Sequence, residues 1–449
     1  MKFKGYIISA IMTLSGFAAS AHVETEQTII LSLEQCRAMA LENNLTLQNA
    51  GYKIETASLV SKNAFTKYFP NISAEGMAFR TNKGALQYSL EIPLGPLGQQ
   101  LGLGDKLSYD FHLVKKGSVA GLNLVQPIFM GGRIIYGNKL AHVGEDVARL
   151  EDIRTRQEIT FKVEDYYWKL ATLNAKRQTV LELMTMLDTL TTYVQSYVDA
   201  GITTRNDLLQ VKLKRNEMAS NLVDLDNGIN LVRMALSQAI GEGSFSNINV
   251  EASPQSTTLP DLPLEYYVDP QNAISNTTAY ALLTQAVKAS EIQEKIAIGE
   301  NLPLIAGGAG LYNEHILGQG HNFAAVYVTV AIPITDWWGG SYNIKKRKIE
   351  TRMARNTLED ASQLLQIQIS NSWNDIVSAR HKISIAIESI AQAEENLRLN
   401  KAYYEAGIVT LTDLLEAQTL YKSSNDEYIE AYGNFQLKTL QYRQETGQE

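Results

Sequence analysis

The sequence contains one stretch written twice. YVDAGITTRNDLLQ and YYEAGIVTLTDLLE begin 206 positions apart, at Tyr197 and Tyr403. At this offset residues 193–241 align with 399–447 without a gap. Prolines repeat as well, Pro127 with Pro333 at the same offset and Pro70 with Pro303 at an offset of 233. The chain is therefore an internal duplication, and its two halves are expected to repeat one fold.

Both copies lie inside long tracts without proline, the residue that breaks helices. No proline occurs between 128 and 253 or after 333. Around the first copy, apolar residues recur every three or four positions, at Val180, Leu183, Leu187, Leu190, Val194 and Tyr197, and again at Met218, Leu222, Leu225, Ile229, Val232 and Leu236. This spacing predicts long helices that pack at a shallow angle, as in coiled coils. The chain turns at Ala200-Gly201, and residues 133–200 would span roughly 100 Å at about 1.5 Å per residue.

The segments between the prolines change to a period of two. Val326, Val328, Val330, Ile332 and Ile334 alternate with smaller or more polar residues, which predicts a strand with one apolar side. NISAEGMAFR, SVAGLNLVQPIF and LPLIAGGAGLY read similarly, so each half offers one β-hairpin and the chain has four strands in all. The extra stretch 84–106 of the first hairpin reads either as a loop folded over or into a barrel mouth, or as a disordered surface loop.

Four strands are too few to close a membrane barrel, which needs about eight. In lipid, an open sheet leaves backbone groups unpaired at several kcal/mol each. If these strands lie in a bilayer, several copies of the chain must therefore share one barrel. No run of about 18 apolar residues follows position 21, so no transmembrane helix is predicted.

The N-terminus has the layout of a secretory signal peptide. Lys2 and Lys4 precede an apolar stretch, and the end of segment 1–21, Ala-Ser-Ala, predicts cleavage before His22. Removing these two lysines takes the net charge from −8 to about −10, which argues against nucleic acid as a partner.

Motifs of catalysis and metal binding are missing from the sequence. No P-loop, HExxH, GxSxG or GxGxxG pattern occurs. His315 and His321 are six positions apart without further ligands, and the lone Cys36 lies on the apolar side of the first helix, where it is expected in the core. No enzyme, cofactor or metal site is predicted.

Taken in order, these segments match a known family. The chain resembles the TolC-type outer-membrane efflux protein family over essentially its whole mature length, in LSLEQCRAMALENNLTLQNA (31–50), QPIFMGGR (126–133) and the two AGI-T--DLL tips. The resemblance implies a mainly α fold with a membrane β part. Long coiled-coil-like helices would form a periplasmic tunnel, and four strands per chain would contribute to a trimeric 12-stranded outer-membrane β-barrel.

The duplication and the resemblance together divide the chain. The expected parts are the signal peptide 1–21, a first repeat 22–241, a linker or equatorial segment 242–275 and a second repeat 276–449. The β-hairpins are expected at about 70–130 and 303–335, and the helical tips at about 200–205 and 406–411. The expected location is the outer membrane of a Gram-negative bacterium, with the tunnel extending into the periplasm.

The resemblance also assigns roles to the tips. Asp207, Asp413, Glu416 and Tyr404 match residues that line the closed periplasmic constriction of the family. The alternative for the two aspartates is that each simply favours the N-terminus of its helix. Val409 stands where the family has a basic partner for these acids, and the candidate substitute is Arg205.

Further expectations concern docking and the membrane boundary. The tip residues expected to meet an adaptor are Gly201, Ile202, Gly407 and Ile408. Trp337 and Trp338 suit an aromatic belt at the membrane interface, with packing at a strand–helix corner as the alternative. Gly131-Gly132 and Gly339-Gly340 either let the chain swing from barrel to tunnel or form tight turns.

The leading functional hypothesis is the passive outer-membrane channel of a tripartite efflux or secretion system. Its expected partners are two further copies of the chain, a periplasmic adaptor, an inner-membrane pump and outer-membrane lipid. The alternative is a periplasmic coiled-coil adaptor or structural protein. Two helical hairpins, each after a pair of strands with an apolar side, favour the channel, whereas the cargo stays open.

Overall fold

The computed structural model describes residues 29–82, 87–93, 106–112, 116–243, 248–254, 258–316, 319–334 and 336–448. The predicted signal peptide and the centre of the 84–106 stretch lie outside these ranges. The helices are α1 Leu33–Asn43, α2 Leu45–Thr66, α3 Arg133–Asp199, α4 Arg205–Ala239, α5 Pro270–Ala273, α6 Thr278–Glu300, α7 Asp336–Glu405 and α8 Leu411–Glu445. The strands are β1 Ile29–Leu31, β2 Asn71–Arg80, β3 Gln87–Pro93, β4 Lys106–His112, β5 Lys116–Met130, β6 Ile248–Val250, β7 Leu304–Ile316 and β8 Gln319–Ala331.

Two continuous helices dominate the molecule, α3 with 67 residues and α7 with 70. The apolar positions that predicted α3 are its buried ones, among them Val180, Leu187 and Val194. They pack on α4 and on α8, so the helical hairpins of the two halves lie side by side. None of the described helices has a segment long and apolar enough to cross a membrane.

Both helical hairpins turn in the same way. Gly201 and Gly407 adopt left-handed φ angles of 71° and 72°. The next residue in each copy donates its N–H five residues back, Ile202 to the Tyr197 carbonyl and Ile408 to the Tyr403 carbonyl, both at 2.8 Å. This closed C-terminal turn depends on glycine at the left-handed position. The duplication seen in the sequence is thus a duplication of local geometry.

The four predicted strands form one antiparallel sheet in the order β2-β5-β7-β8. The two halves therefore meet at the β5–β7 pair, and β2 and β8 form the edges. Each strand continues into a long helix or follows one, which places the helical bundle at one end of the sheet.

Four further strands were not predicted. β3 and β4 pair antiparallel from Gln87–His112 to Pro93–Lys106, so the described flanks of the 84–106 stretch form a hairpin and are not a disordered loop. An ion pair of 3.1 Å joins Lys106 Nζ to Glu91 Oε2 across it. β1 and β6, three residues each, pair in parallel beside the helices.

The passage from sheet to helix differs between the halves. Gly131 and Gly132 have φ angles of 63° and 78° directly before α3, as expected for a redirected chain. A Cβ at Gly131 would overlap the carbonyl oxygen of Gly299, so side chains are excluded from this crossing. The expectation for the second pair is wrong, because Gly339 and Gly340 lie inside the first turns of α7.

The segment between the halves is held by the helices. β6 pairs with β1, and the Arg380 Nε donates to the Pro260 carbonyl at 2.9 Å. Further on, the Val268 N–H donates to the Tyr442 hydroxyl at 3.0 Å. These contacts tie the described parts of 242–275 to α7 and α8.

Candidate functional site

The sheet has one apolar face and one mixed face. The apolar face is formed by alternate residues that are largely exposed: Ile72, Leu122, Leu124, Leu311, Val326, Val328 and Val330. The mixed face carries Ser73, Glu75, Asn123, Tyr312, Tyr327 and Thr329 on the same strands. Val326 is 88% exposed and Val328 is 68% exposed, so neither side chain is packed in a core of this protomer. A surface of this kind is stable only against another apolar phase or surface.

In the part of the chain that the structure describes, both edges of the sheet are unpaired within the protomer. β2 offers 10 residues and β8 offers 13, and each pairs with a neighbour on one side only. In an edge strand about half of the backbone N–H and C=O groups point away from the sheet. An apolar face combined with two open edges fits a sheet that is completed by other copies.

The tip aspartates are part of helix caps. Asp207 and Thr204 exchange hydrogen bonds, with the Asp207 N–H donating to Thr204 Oγ1 at 3.3 Å and the Thr204 N–H donating to Asp207 Oδ2 at 3.2 Å. The Thr203 hydroxyl also donates to Asp207 Oδ2. Asp413 and Thr410 repeat the arrangement at 3.3 and 2.8 Å. Each tip is thus a capping box, in which threonine and aspartate satisfy two free N–H groups of the helix start.

These hydrogen bonds lower the pKa of both carboxyl groups. For Asp207 the main cause is the Thr203 hydroxyl, and for Asp413 it is the Thr410 hydroxyl, followed by the Thr410 N–H. A lowered folded-state pKa gives a stabilising contribution that is present above the unfolded pKa and lost as pH falls through the folded pKa. Both aspartates therefore stay negatively charged throughout the neutral and mildly acidic range.

The remaining tip residues are brought together only in part. Tyr404 lies close enough to Asp207 for the negative charge to raise the tyrosine pKa, after burial as the larger cause. A cavity of about 310 Å³ lies beside Tyr404 and is lined in part by Tyr197 and Lys401. Glu416 is exposed on α8, about one helical turn beyond Asp413.

The apex of each hairpin is an exposed isoleucine. Ile202 is 71% exposed and Ile408 is 70% exposed, each directly after the glycine of its turn. Val409 is half-buried, and Arg205 is exposed and forms no ion pair with either tip aspartate in the described part of this protomer. Across the described ranges, no basic side chain forms an ion pair with Asp207 or Asp413 within one chain.

Comparisons with known proteins agree with this geometry. A family model for the outer membrane efflux protein matches residues 37–242 and 270–448. The chain belongs to the outer membrane efflux protein family. The predicted resemblance is thereby confirmed.

Solved structures show the same fold at low sequence identity. The Campylobacter jejuni CmeC outer membrane channel matches with a TM-score of 0.77 and 14% identity, over 99% of this chain and 94% of that one. VceC from Vibrio cholerae matches at 0.74 and 16%, over 92% and 96%. The open state of the Neisseria gonorrhoeae MtrE channel matches at 0.69 and 15%, over 99% and 97%. A search of curated protein sequences found no match.

Family membership places the two parts of the molecule relative to the outer membrane. The protein is an efflux channel of the outer membrane with its helices in the periplasm, and its family consists of channels rather than enzymes. No group of three or more metal-binding side chains occurs among the described residues.

The tryptophan pair lies where the sheet meets the helices. Trp337 and Trp338 belong to the first turn of α7, which begins at Asp336. Trp338 is 82% exposed, and the run of exposed apolar residues continues through Ile332 and Ile334 up to this point. The Trp338 ring therefore makes little packing contact within the described part of the protomer.

Sequence reasoning missed two features of the channel. A shared apolar cluster joins the two tips through Leu208, Leu411 and Leu414, and only the side-by-side packing of the hairpins reveals it. The second is the double capping box. Its signal was present in the sequence, since Thr-x-x-Asp before an apolar run is typical of a helix start.

Proposed function

We propose that the protein is the passive conduit of a tripartite efflux system and works as a homotrimer. In this assembly β8 of one copy pairs with β2 of the next, so that three sheets of four strands close one barrel of twelve. The observation that carries the proposal is the sheet itself, with an exposed apolar face and two open edges. In a bilayer the apolar face meets lipid, and closure satisfies the edge backbone groups, which otherwise cost several kcal/mol each.

The membrane boundary follows from the same orientation. Trp337 and Trp338 would lie at the periplasmic interface, where amphipathic rings are favoured between lipid and water. The exposed run from Val326 to Ile334 on the apolar face would then span the hydrocarbon layer above them. The two halves would be delimited as in the sequence-based division, with 242–275 as the belt between them.

The partners would meet the channel at the opposite end. The apices Gly201-Ile202 and Gly407-Ile408 offer small exposed apolar knobs to a periplasmic adaptor, which in turn would hold an inner-membrane pump. The channel has no chemistry of its own in this scheme, and the pump supplies the energy.

The tips would also form the gate. A threefold axis brings three copies of Asp207, Asp413 and Glu416 close to one another, and Tyr404 lies beside the first of them. Like charges in a narrow pore concentrate cations and repel one another, which favours opening. Because Asp207 and Asp413 cap helices as well, their charge and their capping role have to be separated by experiment.

The conduit is tested by extraction and conductance. The full-length protein should require detergent for extraction from membranes, migrate as a heat-sensitive trimer and form ion channels in planar bilayers. A periplasmic adaptor would instead wash off with salt or high pH and would give no channels. Recovery as an intact monomer without detergent would contradict the proposal.

The gate is tested by two double variants. Asp207→Asn with Asp413→Asn keeps an oxygen that accepts the capping hydrogen bonds and removes the charge. We expect a raised conductance or a weaker preference for cations, with a loss of thermal stability smaller than that of the alanine pair. The alanine pair removes the caps too, so its thermal stability should fall. If the asparagine pair conducts as the parent does, the charges do not form the gate.

A further inference from the structure

The mixed face of the sheet holds aromatic rings flat against glycines. A Cβ at Gly121 would lie 2.7 Å from Tyr312 Cδ1, and one at Gly310 would lie 2.6 Å from Tyr312 Cε2. The Tyr312 ring therefore covers both positions, and only glycine leaves it room. Its hydroxyl donates to Asn123 Oδ1 at 2.5 Å, which fixes the ring across β5.

A second ring stacks on the first. The ring centroids of Tyr312 and Phe323 are 5.1 Å apart with an interplanar angle of 26°. Phe323 is 47% exposed, so the pair presents aromatic surface to its surroundings while Tyr312 is held in place. A ring fixed in this way loses little conformational freedom when a ligand stacks on it.

Carboxylates flank the aromatic pair. Glu75, Gly121, Tyr312 and Phe323 form one row across the sheet, because each is paired with the next. Glu314 follows Tyr312 by two residues on the same face of β7, about 7 Å further along the strand. Over the described residues of the four strands, the mixed face carries no lysine or arginine, since Arg80 and Lys116 pair in a row of the other face.

We infer that this cluster, Glu75, Tyr312, Phe323 and Glu314, is a binding site for organic cations that carry aromatic groups. Such a molecule can stack on Phe323 and place its positive charge near a carboxylate and over a ring face. The site rests on the proposed trimeric conduit, in which the mixed face lines the pore. Three copies would then form a ring in the outer half of the barrel, since Phe323 is close to the start of β8 and far from the helices.

The residues of the opposite face support the assignment of the cluster to the pore side of the sheet. Every residue of the next row, Ala74, Leu122, Leu311 and Ala324, is apolar and belongs to the face that would meet lipid. The row that carries the cluster contains the Glu75 carboxylate, and moving a carboxylate from water into hydrocarbon is strongly unfavourable. Because of this charge, the cluster would face the water-filled pore and not the lipid.

The test uses single channels of the full-length protein in planar bilayers. Tetraphenylphosphonium is the aromatic cation, tetrabutylammonium the cation without rings and tetraphenylborate the aromatic anion. We expect tetraphenylphosphonium to block current at a concentration at least about fivefold lower than either control ion, as for one cation–aromatic contact. Phe323→Leu should raise its half-blocking concentration by about fivefold, Phe323→Tyr should retain the block, and Glu75→Gln should weaken it.

A matched control removes a ring from the other face. Phe129 lies in the row of Ile305 and Val330 on the apolar face, so Phe129→Leu should leave the block unchanged. Equal block by the aromatic and the aliphatic cation, or equal effects of Phe129→Leu and Phe323→Leu, would overturn the site while leaving the conduit intact. A preparation that forms no channels at all would overturn the conduit, and the site with it.

Discussion

Arginine substitutions at two adjacent positions of β8 should affect assembly very differently. One should reduce it strongly and the other should leave it almost unchanged. Val328 lies on the apolar face and is 68% exposed, within the exposed run from Val326 to Ile334. Thr329 is the next residue and points to the mixed face. An arginine on the lipid face of a barrel costs about 2–4 kcal/mol near the bilayer midplane, or about 6–12 kcal/mol for three copies. The same residue on the pore side keeps its hydration and costs little.

The comparison is made by expressing Val328→Arg and Thr329→Arg at matched levels. Outer-membrane fractions are then run with and without heating, and the fraction of heat-sensitive trimer is measured against the parent. We expect the trimer to be strongly reduced for Val328→Arg and near the parent level for Thr329→Arg. Both variants carry the same new charge on the same strand and at nearly the same height. A difference in trimer yield between them therefore does not come from synthesis or export. Equal trimer yields for both variants would refute the assignment of the two faces.

Three further perturbations follow from the fold. Cysteines introduced at Ala324 and Ala325 should differ in labelling by a membrane-impermeant thiol reagent, with the second modified and the first protected; equal labelling would contradict the alternation of faces. Gly131→Ala should lower the thermal dissociation temperature of the trimer, because the left-handed backbone alone costs about 1–2 kcal/mol, whereas Gly137→Ala, with open space around it, should not. Leu187→Pro should cost about 3 kcal/mol or more in α3 and reduce trimer and efflux; parental behaviour would argue against one continuous rod.

The long elements could be predicted because each repeats one period over many residues. The spacing of Val180, Leu187 and Val194 is helical over several turns, and that of Val326 and Val328 is the alternation of a strand. The repeat then fixed the order of the elements in both halves. Three-residue strands such as β1 and β6 are too short for any period, and only their pairing makes them strands.

The glycine pair of the second half shows how a repeat can mislead. Pro127 is followed by Gly131 after three intervening residues, whereas Pro333 is followed by Gly339 after five. The two extra positions allow α7 to begin at Asp336, before its glycines, so they need no special backbone angles. A small insertion therefore changed the role of residues that look equivalent.

Only those parts of the candidate site that lie within a single segment could be predicted from the sequence. The Thr-x-x-Asp pattern predicts a cap at each tip, and both caps are present at Thr204 and Thr410. The aromatic cluster could not be found in this way, because Glu75 lies in the first half of the chain and Tyr312 and Phe323 in a hairpin of the second, and only the strand register brings them together. Cross-strand neighbours are fixed by tertiary structure rather than by local pattern.

The closed turns at the two hairpin ends have a mechanical consequence. Each end is held by a left-handed glycine and a capping box, so it resists fraying and is carried as one body by its helices. Displacement at the apex must then come from tilting further back, near the belt. Because α4 is 35 residues long, or about 52 Å, a tilt of about 5° at its far end sweeps the apex by about 4.5 Å. In the proposed gate the rods would thus act as levers, which convert a slight rotation beside the belt into a movement wide enough to admit a solute.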